Sequence, residues 1–114
     1  MVDSNRTCRY NISTNQFEWD TEKNKTNIQK HGVSFEEAAT VFDDENIILI
    51  LDGNHSDEEE RFVALGMSAQ SRVLLVCHCN RDNDSITRII SARKAESDEE
   101  AIYFKNYFGA EGTN

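Results

Sequence analysis

Capping residues and helical periodicity organise the N-terminal part of the chain. Phe17-Glu18-Trp19 alternates apolar and polar residues, as a short strand does. Asp20 is a favourable N-cap for a helix that runs to about Lys30. Ser34 and Glu37 have the spacing of a capping box, and an apolar stripe at helical spacing follows them. The pattern therefore predicts one short strand and then two helices.

Strand periodicity replaces helical periodicity from residue 47 onward. Connections rich in turn-forming residues separate the apolar segments, and short connections favour antiparallel neighbours. Ser97 and Glu100 form a second capping box, which predicts a final helix to about Phe108. The predicted strands are residues 47–51, 61–67, 72–79 and 85–92. The fold class is therefore α+β, with two N-terminal helices, a four-stranded antiparallel meander and a C-terminal helix.

Both ends of the chain fall outside this pattern. Residues 1–16 are polar and without periodicity, so we expect a flexible N-terminal extension; residues 17–108 form the single domain, and 109–114 a frayed tail. The N-terminal residues have no apolar stretch typical of a signal peptide, and no apolar run approaches the ~20 residues of a membrane helix. We therefore expect a cytoplasmic protein with reduced cysteines.

Charge is distributed unevenly along the chain. The formal net charge of -9 argues against a nucleic-acid partner at first sight. Residues 72–94 have the opposite sign, because five basic residues there face only Asp82 and Asp84. The basic residues are Arg72, Arg81, Arg88, Arg93 and Lys94. Such an island can bind an anion because distant charges are screened, although charge alone favours chance clustering.

Four short strings carry a resemblance to a known family. They read Phe17-Glu18-Trp19-Asp20, His31-Gly32-Val33-Ser34-Phe35-Glu36-Glu37-Ala38, Glu60-Arg61-Phe62-Val63-Ala64-Leu65-Gly66-Met67-Ser68 and Arg88-Ile89-Ile90-Ser91-Ala92-Arg93-Lys94-Ala95. In this order they resemble the BrnT toxins of bacterial type II toxin–antitoxin systems. The resemblance implies a RelE-like fold, ribonuclease activity on RNA and a BrnA-type antitoxin as partner. It leaves open a homo-oligomer or a toxin–antitoxin heterotetramer.

A ribonuclease that uses no metal must stabilise a phosphorane with extra negative charge. Arg88 and Arg93 suit this task because the guanidinium fork matches phosphate oxygens. The alternative for each is an ion pair with Glu99 or Glu100. In a regular strand the two arginines would point to opposite faces, unless the chain bulges near Ser91-Ala92. No metal or other cofactor is expected.

The other candidate residues have weaker support. His78 suits acid–base catalysis by residue type, although a histidine at a strand edge with a backbone partner is the favoured alternative. Lys94, Arg72 and Arg81 are predicted to bind phosphate groups of RNA. Trp19 could stack on a base, but packing in the core is favoured. His78, Lys94, Arg72 and Arg81 therefore complete the predicted RNA site around Arg88 and Arg93.

Cys77-His78-Cys79 has the composition of a zinc site but not its geometry. A strand directs the two thiols to one face and the imidazole to the other, and no second ligand pair closes a tetrahedron.

The predicted function is a metal-independent endoribonuclease that inhibits translation. The acidity keeps open a non-catalytic module of the same fold that binds a basic, antitoxin-like protein. An acidic mimic of nucleic acid ranks last, because the carboxylates lie in separate segments.

Overall fold

The computed structural model describes residues 7–12, 15–52, 61–81, 83 and 85–111. Of the predicted tail 109–114, residues 109–111 continue the last helix and residues 112–114 lie outside the described part of the chain. Within the described residues the chain contains three α-helices and one six-stranded mixed sheet. The strands are β1 Thr7–Ile12, β2 Asn15–Asp20, β3 Ile48–Asp52, β4 Arg61–Met67, β5 Val73–Arg81 and β6 Ile86–Lys94. The helices are α1 Thr21–His31, α2 Phe35–Thr40 and α3 Ser97–Glu111, and a 3₁₀ turn, Val41–Asp43, follows α2.

The sheet is larger than the predicted four-stranded meander. Its order is β1-β2-β6-β5-β4-β3, and every neighbouring pair is antiparallel except β2 and β6. The segment Thr7–Ile12, expected to belong to a flexible extension, instead forms β1 and pairs with β2. Cys8, Tyr10 and Ile12 alternate along β1 and pack against the core, which supplies the burial that holds it in place.

The two N-terminal helices begin at their predicted caps and cover one face of the sheet. The Asp20 carboxylate accepts from the backbone N–H groups of Glu22 (2.8 Å) and Lys23 (3.3 Å), and α1 ends at Gly32 with φ +70°. The Ser34 hydroxyl accepts from the backbone N–H of Glu37 at 3.0 Å. The core beneath them includes Phe17, Trp19, Val33, Phe35, Leu74, Val76, Ile89 and Ala92. We call this side of the sheet the helix-covered face.

Helix α3 covers only one end of the opposite face. Tyr103 is buried there with Leu65 and Val73, and its hydroxyl donates to Asp44 Oδ2 at 2.7 Å. Burial and this carboxylate raise the pKa of Tyr103. None of the described helices combines the length and apolar character needed to span a membrane. The remainder of this side, which includes Arg9, Glu18, Cys77, Arg88, Ser91 and Arg93, is the open face.

Strand β6 contains a bulge at Ile90. Ser91 pairs with Cys77 and Ile89 with His78, so Ile90 has no partner on β5. Ile89 and Ala92 consequently enter the same core although three positions separate them. For the same reason Arg88 and Arg93, five positions apart, both lie on the open face. A regular strand would have placed them on opposite faces.

A buried asparagine on α1 fixes the strand beside this bulge. The Asn27 Nδ2 group donates to the carbonyl oxygens of Val33 (2.9 Å) and Ala92 (2.8 Å). Its Oδ1 accepts from the backbone N–H of Ala92 at 3.2 Å. One side chain therefore satisfies backbone groups of β6 and of the turn between α1 and α2, and holds the two segments together.

Candidate functional site

An ion-paired carboxylate lies at the centre of the open face. Glu18 on β2 is the parallel neighbour of Arg88 on β6, and Arg88 Nη1 donates to Glu18 Oε2 at 2.8 Å. Arg9 on β1 lies opposite Glu18 and places its Nε 3.4 Å from Glu18 Oε1. Three adjacent strands thus position one carboxylate between two guanidinium groups. The Arg9 and Arg88 side chains are 67% and 23% exposed, so both can reach a ligand in solvent.

Arg93 lies further along β6 and is held by the first turn of α3. Its Nη1 and Nη2 donate to the two carboxylate oxygens of Glu99 at 2.8 and 2.9 Å. Glu99 Oε1 also accepts from the backbone N–H of Glu96 at 2.8 Å. The shared hydrogen bonds raise the pKa of Arg93 and lower that of Glu99. The alternative raised from the sequence, a pair with Glu99, therefore describes Arg93, whereas Arg88 pairs with Glu18.

The two arginines share a face but not a position. Arg88 lies opposite Cys79, and Arg93 lies opposite Leu75, four positions away along β5. At the rise of a β-strand their Cα atoms are about 13 Å apart. The segment between them presents Ser91 to solvent. The geometry therefore suits two separate anionic groups more than a single one.

His78 lies on the other side of the sheet from these arginines. It is buried between Phe42, in an edge contact with a centroid distance of 4.9 Å, and Phe62, which stacks at 5.7 Å. Its Nδ1 is 3.5 Å from the carbonyl oxygen of Val76. Burial lowers the pKa of His78. The structure therefore does not bring the predicted acid–base residue to the predicted phosphate site.

Arg72 is engaged in a structural ion pair next to α2. Its Nε donates to Glu37 Oε2 at 2.9 Å, its Nη2 donates to Glu37 Oε1 and, at 3.1 Å, to the Gly32 carbonyl oxygen. Ser68 adds a hydrogen bond to the same carboxylate at 2.7 Å. These contacts raise the pKa of Arg72 and lower that of the buried Glu37. The guanidinium predicted to bind phosphate is thus committed to holding α2 against the turn before β5.

The remaining predicted residues lie at opposite ends of the sheet. Lys94 is exposed at the end of β6, beside a cleft that Phe104 and Glu100 also line. Arg81 is exposed at the end of β5, opposite Ile86. Trp19 is buried against Tyr10 and Phe35 and is a core residue. Lys94 is therefore at the Arg93 end of the sheet, and Arg81 is at the Arg88 end.

Sequence reasoning missed three charged residues of the open face. Glu18 could have been found from the sequence. Phe17 and Trp19 are core residues, so the alternation of a strand places the carboxylate of Glu18 on the other face of the sheet. Arg9 was missed although Cys8, Tyr10 and Ile12 alternate around it, because this short strand pattern lies within an otherwise polar stretch. Glu99 was considered only as an alternative partner of the arginines. All three lie at the contacts that orient Arg88 and Arg93.

These features define a class of protein: a small α+β domain that presents ion-paired arginines on an uncovered sheet face, as suits a phosphate-containing ligand. The family model described as "Ribonuclease toxin, BrnT, of type II toxin-antitoxin system" matches residues 19–99, most of the chain. The chain therefore belongs to the BrnT family, whose members are ribonuclease toxins of type II toxin–antitoxin systems. A toxin of this type has an antitoxin as its partner.

A solved structure supports the fold. The chain is similar to the 1.1 Å crystal structure of the Brucella abortus ribonuclease toxin BrnT, with 23% sequence identity and a TM-score of 0.51. The match covers 69% of this chain and 94% of that chain. At this identity the likeness shows the fold alone. A search of curated protein sequences finds no significant match.

Proposed function

We propose that this protein is a cytoplasmic, metal-independent endoribonuclease that inhibits translation and cuts RNA on the open face. The RelE-like architecture that the resemblance implied belongs to the same proposal. The observation that carries it is the bulge at Ile90, which brings Arg88 and Arg93 to one uncovered face. The family supports the reaction class, and the ion pairs supply oriented guanidinium groups.

Arg88 is the residue that stabilises the phosphorane. Its guanidinium already lies in a fixed orientation against Glu18, and a phosphate oxygen can take the place of one hydrogen-bond acceptor. A preorganised donor of this kind is worth roughly 10²–10³ in rate. Arg9 adds a second cation next to the same carboxylate. The scissile phosphate therefore lies at the junction of β1, β2 and β6.

Arg93 and Lys94 bind a phosphate further along the RNA. Arg93 is about 13 Å from Arg88 along the strand direction, too far to share the scissile phosphate. Its bidentate contact with Glu99 keeps the guanidinium at the border between the sheet and α3. Arg81 extends the basic path at the opposite end. His78 and Arg72 are not part of this site, because the first is buried under the helices and the second is bound to Glu37.

The acidity of the chain sets the regime in which this site works. A net charge of -9 disfavours approach of RNA at long range. At contact range the local arginines dominate, because the screening length is about 8 Å at physiological salt. The protein therefore binds RNA weakly at low salt compared with a basic nuclease, and catalysis depends on a few oriented contacts.

The first test is RNA cleavage by the purified protein in EDTA, with and without ribosomes. We expect cleavage in EDTA and a loss of roughly 10²–10³ in rate for Arg88→Ala, because the phosphorane loses its oriented donor. Lys25→Ala, which removes an exposed cation from α1, is the matched control and should cleave like the wild type. Thermal melting verifies that each variant is folded. The proposal is wrong if the wild type does not cleave RNA in EDTA. It is also wrong if a folded Arg88→Ala variant cleaves RNA at the wild-type rate.

The partner proposal rests on an apolar edge of the sheet. β3 is the last strand in the sheet order, and Leu49, Ile50 and Leu51 are each more than half exposed. Ile102 and Phe108 of α3 are exposed as well. An edge strand offers unpaired backbone groups to a further strand. A segment of a BrnA-type antitoxin is therefore proposed to pair with β3, and a basic segment suits the acidic chain.

The same edge favours a second candidate function. A non-catalytic module of this fold would use the apolar edge to bind a basic antitoxin-like protein and would cleave no RNA. The cleavage assay separates the two candidates. A folded wild-type protein that binds the antitoxin but cleaves no RNA, with or without ribosomes, would favour the binding module.

A further inference from the structure

Glu18 is the carboxylate closest to Arg88 among the described residues of the open face, and its residue exposure is only 7%. The other groups of the face that could take up a proton are placed differently. Glu99 is bound by both nitrogens of the Arg93 fork and lies at the α3 end. His78 faces the helices. We infer that Glu18 is the general base of RNA cleavage, an inference that rests on the proposed ribonuclease function.

The contacts of Glu18 leave it able to accept a proton. An ionised carboxylate has about four lone-pair sites. Arg88 uses one site on Oε2, and Arg9 lies beside Oε1 at 3.4 Å. The remaining sites can accept a hydroxyl hydrogen bond. Because the two guanidinium groups flank the carboxylate, a phosphate held by Arg88 necessarily lies near Glu18.

The backbone around Glu18 is well placed to keep this geometry. Glu18 lies in the middle of β2, between β1 on one side and β6 on the other. Its neighbours in sequence, Phe17 and Trp19, are 1% exposed and packed in the core. A base on a central strand with buried flanking residues is more rigid than one on a loop. Rigid placement is what general-base catalysis requires.

For one phosphodiester, the reaction transfers the 2′ proton to Glu18 and exchanges one phosphorus–oxygen bond for another. The ribose 2′-hydroxyl gives its proton to Glu18 while its oxygen forms a bond to phosphorus. The bond between phosphorus and the 5′ oxygen breaks, and that oxygen keeps the electron pair and takes a proton from water. The products are a 2′,3′-cyclic phosphate and a 5′-hydroxyl end. Glu18 returns its proton to solvent, and Arg88 offsets the charge of the phosphorane.

The decisive variant is Glu18→Gln, assayed on a defined RNA in EDTA. Glutamine keeps the volume and an oxygen that can accept from Arg88, but it cannot take up a proton at working pH. We expect kcat to fall by roughly 10²–10⁴, with RNA affinity retained, because a general base contributes about that factor. Glu22→Gln on α1 is the matched control, since its carboxylate is exposed and pairs with Lys25 rather than with an arginine of the open face, and should leave kcat unchanged.

The pH dependence of the rate separates a base from a carboxylate that only orients Arg88. The charged groups facing Glu18 are Arg9 and Arg88. Because a general base acts only in its deprotonated form, we expect kcat of the wild type to show an acid limb that the residual activity of Glu18→Gln lacks. If Glu18→Gln does not fold, Glu18→Asp is assayed and should keep the acid limb.

The possible outcomes distinguish a failure of the proposed ribonuclease function from a failure of the general-base assignment. Wild-type protein that cleaves no RNA refutes the proposed function and the base with it. Wild-type protein that cleaves, together with a folded Glu18→Gln variant of similar kcat, refutes the base and leaves the function standing. An acid limb absent from the wild type or from Glu18→Asp also refutes the base.

Discussion

Ion pairing orients the arginines of the open face in the free protein. The guanidinium of Arg88 rests on Glu18 and that of Arg93 on Glu99, each at 2.8 Å. Free arginine side chains would lose about 2 kcal/mol of rotamer entropy when a substrate orders them. Here that ordering takes place on folding, and the substrate must instead compete with a carboxylate. Under the proposed function, the site is therefore preorganised for phosphate and is expected to bind it with modest affinity.

Buried His78 gives a prediction about pH. Its folded pKa is lowered by burial, whereas the unfolded value is about 6.5. As pH falls below about 6.5, the unfolded chain takes up a proton that folded His78 resists, so the free energy of unfolding decreases. His78→Phe should flatten this dependence and keep RNA cleavage, because the ring only has to pack against Phe42 and Phe62. Urea denaturation at several pH values measures the effect.

His31→Gln is the control for this measurement. His31 is half-buried in the last turn of α1, away from the aromatic pair that encloses His78. Urea denaturation of this variant at the same pH values separates the effect of His78 from that of losing any one histidine. If phenylalanine proves too large for the site, His78→Leu tests the same point. A folded His78 variant that has lost RNA cleavage would restore the histidine to the catalytic site.

At the scale of elements, the bulge in β6 is the feature that builds the site. Ile90 is the extra residue, and Asn27 on α1 satisfies the backbone of Ala92 two positions later. The same strand is tied to α3 by the pair of Arg93 and Glu99. Helix α1 on one face of the sheet and helix α3 on the other therefore hold β6 near the bulge, where the alternation of its side chains between the two faces shifts by one residue. Loss of either support should disturb the spacing of the two arginines.

Replacing Asn27 tests this support directly. Asn27→Leu removes both the donor and the acceptor and leaves backbone groups of Val33 and Ala92 buried without their partner. We expect a loss of about 3 kcal/mol in the free energy of unfolding, since each unsatisfied buried group costs about 1–3 kcal/mol. Cleavage should fall in the folded fraction as Arg93 shifts. Denaturant unfolding measures the first effect.

Thr26→Ala on the exposed side of α1 is the matched control for Asn27→Leu, and should change stability by less than about 0.5 kcal/mol. An Asn27→Leu variant as stable as this control would mean that the bulge does not depend on α1.

At the scale of the whole molecule, a net charge of -9 and an exposed apolar edge point to the same kind of partner. Two copies of this chain repel each other, whereas a basic protein segment is attracted to it. The acidic residues Asp43 and Glu45, which precede β3, are exposed near the edge. A basic antitoxin segment therefore suits this edge better than a second copy does.

Basic substitutions at the edge test the partner proposal. Leu49→Lys combined with Leu51→Lys puts two cations on β3 where contact with an apolar and basic segment is expected. We expect binding of the BrnA-type antitoxin to weaken by roughly 30–700-fold, because two apolar contacts at an interface centre are worth about 1–2 kcal/mol each. RNA cleavage by the free variant should be unchanged. Calorimetry of the purified pair measures the affinity.

Ile28→Lys is the control for the edge variant, because Ile28 is also an exposed apolar residue but lies on α1. It should bind the antitoxin like the wild type. Equal affinity of the edge variant and this control would move the antitoxin to another surface.

The sequence by itself determined the local structure. The caps at Asp20 and Ser34, the αL residue Gly32 and the strand segments around β4 and β5 follow from contacts within a few residues. At α3 this reasoning was wrong by one residue, because Glu99 rather than Glu100 accepts from the backbone N–H of the capping residue, which is Glu96 rather than Ser97. Local signals succeed where the stabilising partner is near in the chain.

Only the tertiary structure decided the site. β1 forms because distant core residues bury its alternate side chains, and β2 joins β6 in parallel across most of the chain. The bulge at Ile90 depends on pairing with β5 and on support from Asn27. Glu18 and Arg88 meet although 70 positions separate them. These contacts arise only when the sheet assembles, because register and face are set by partners that the local sequence does not contain.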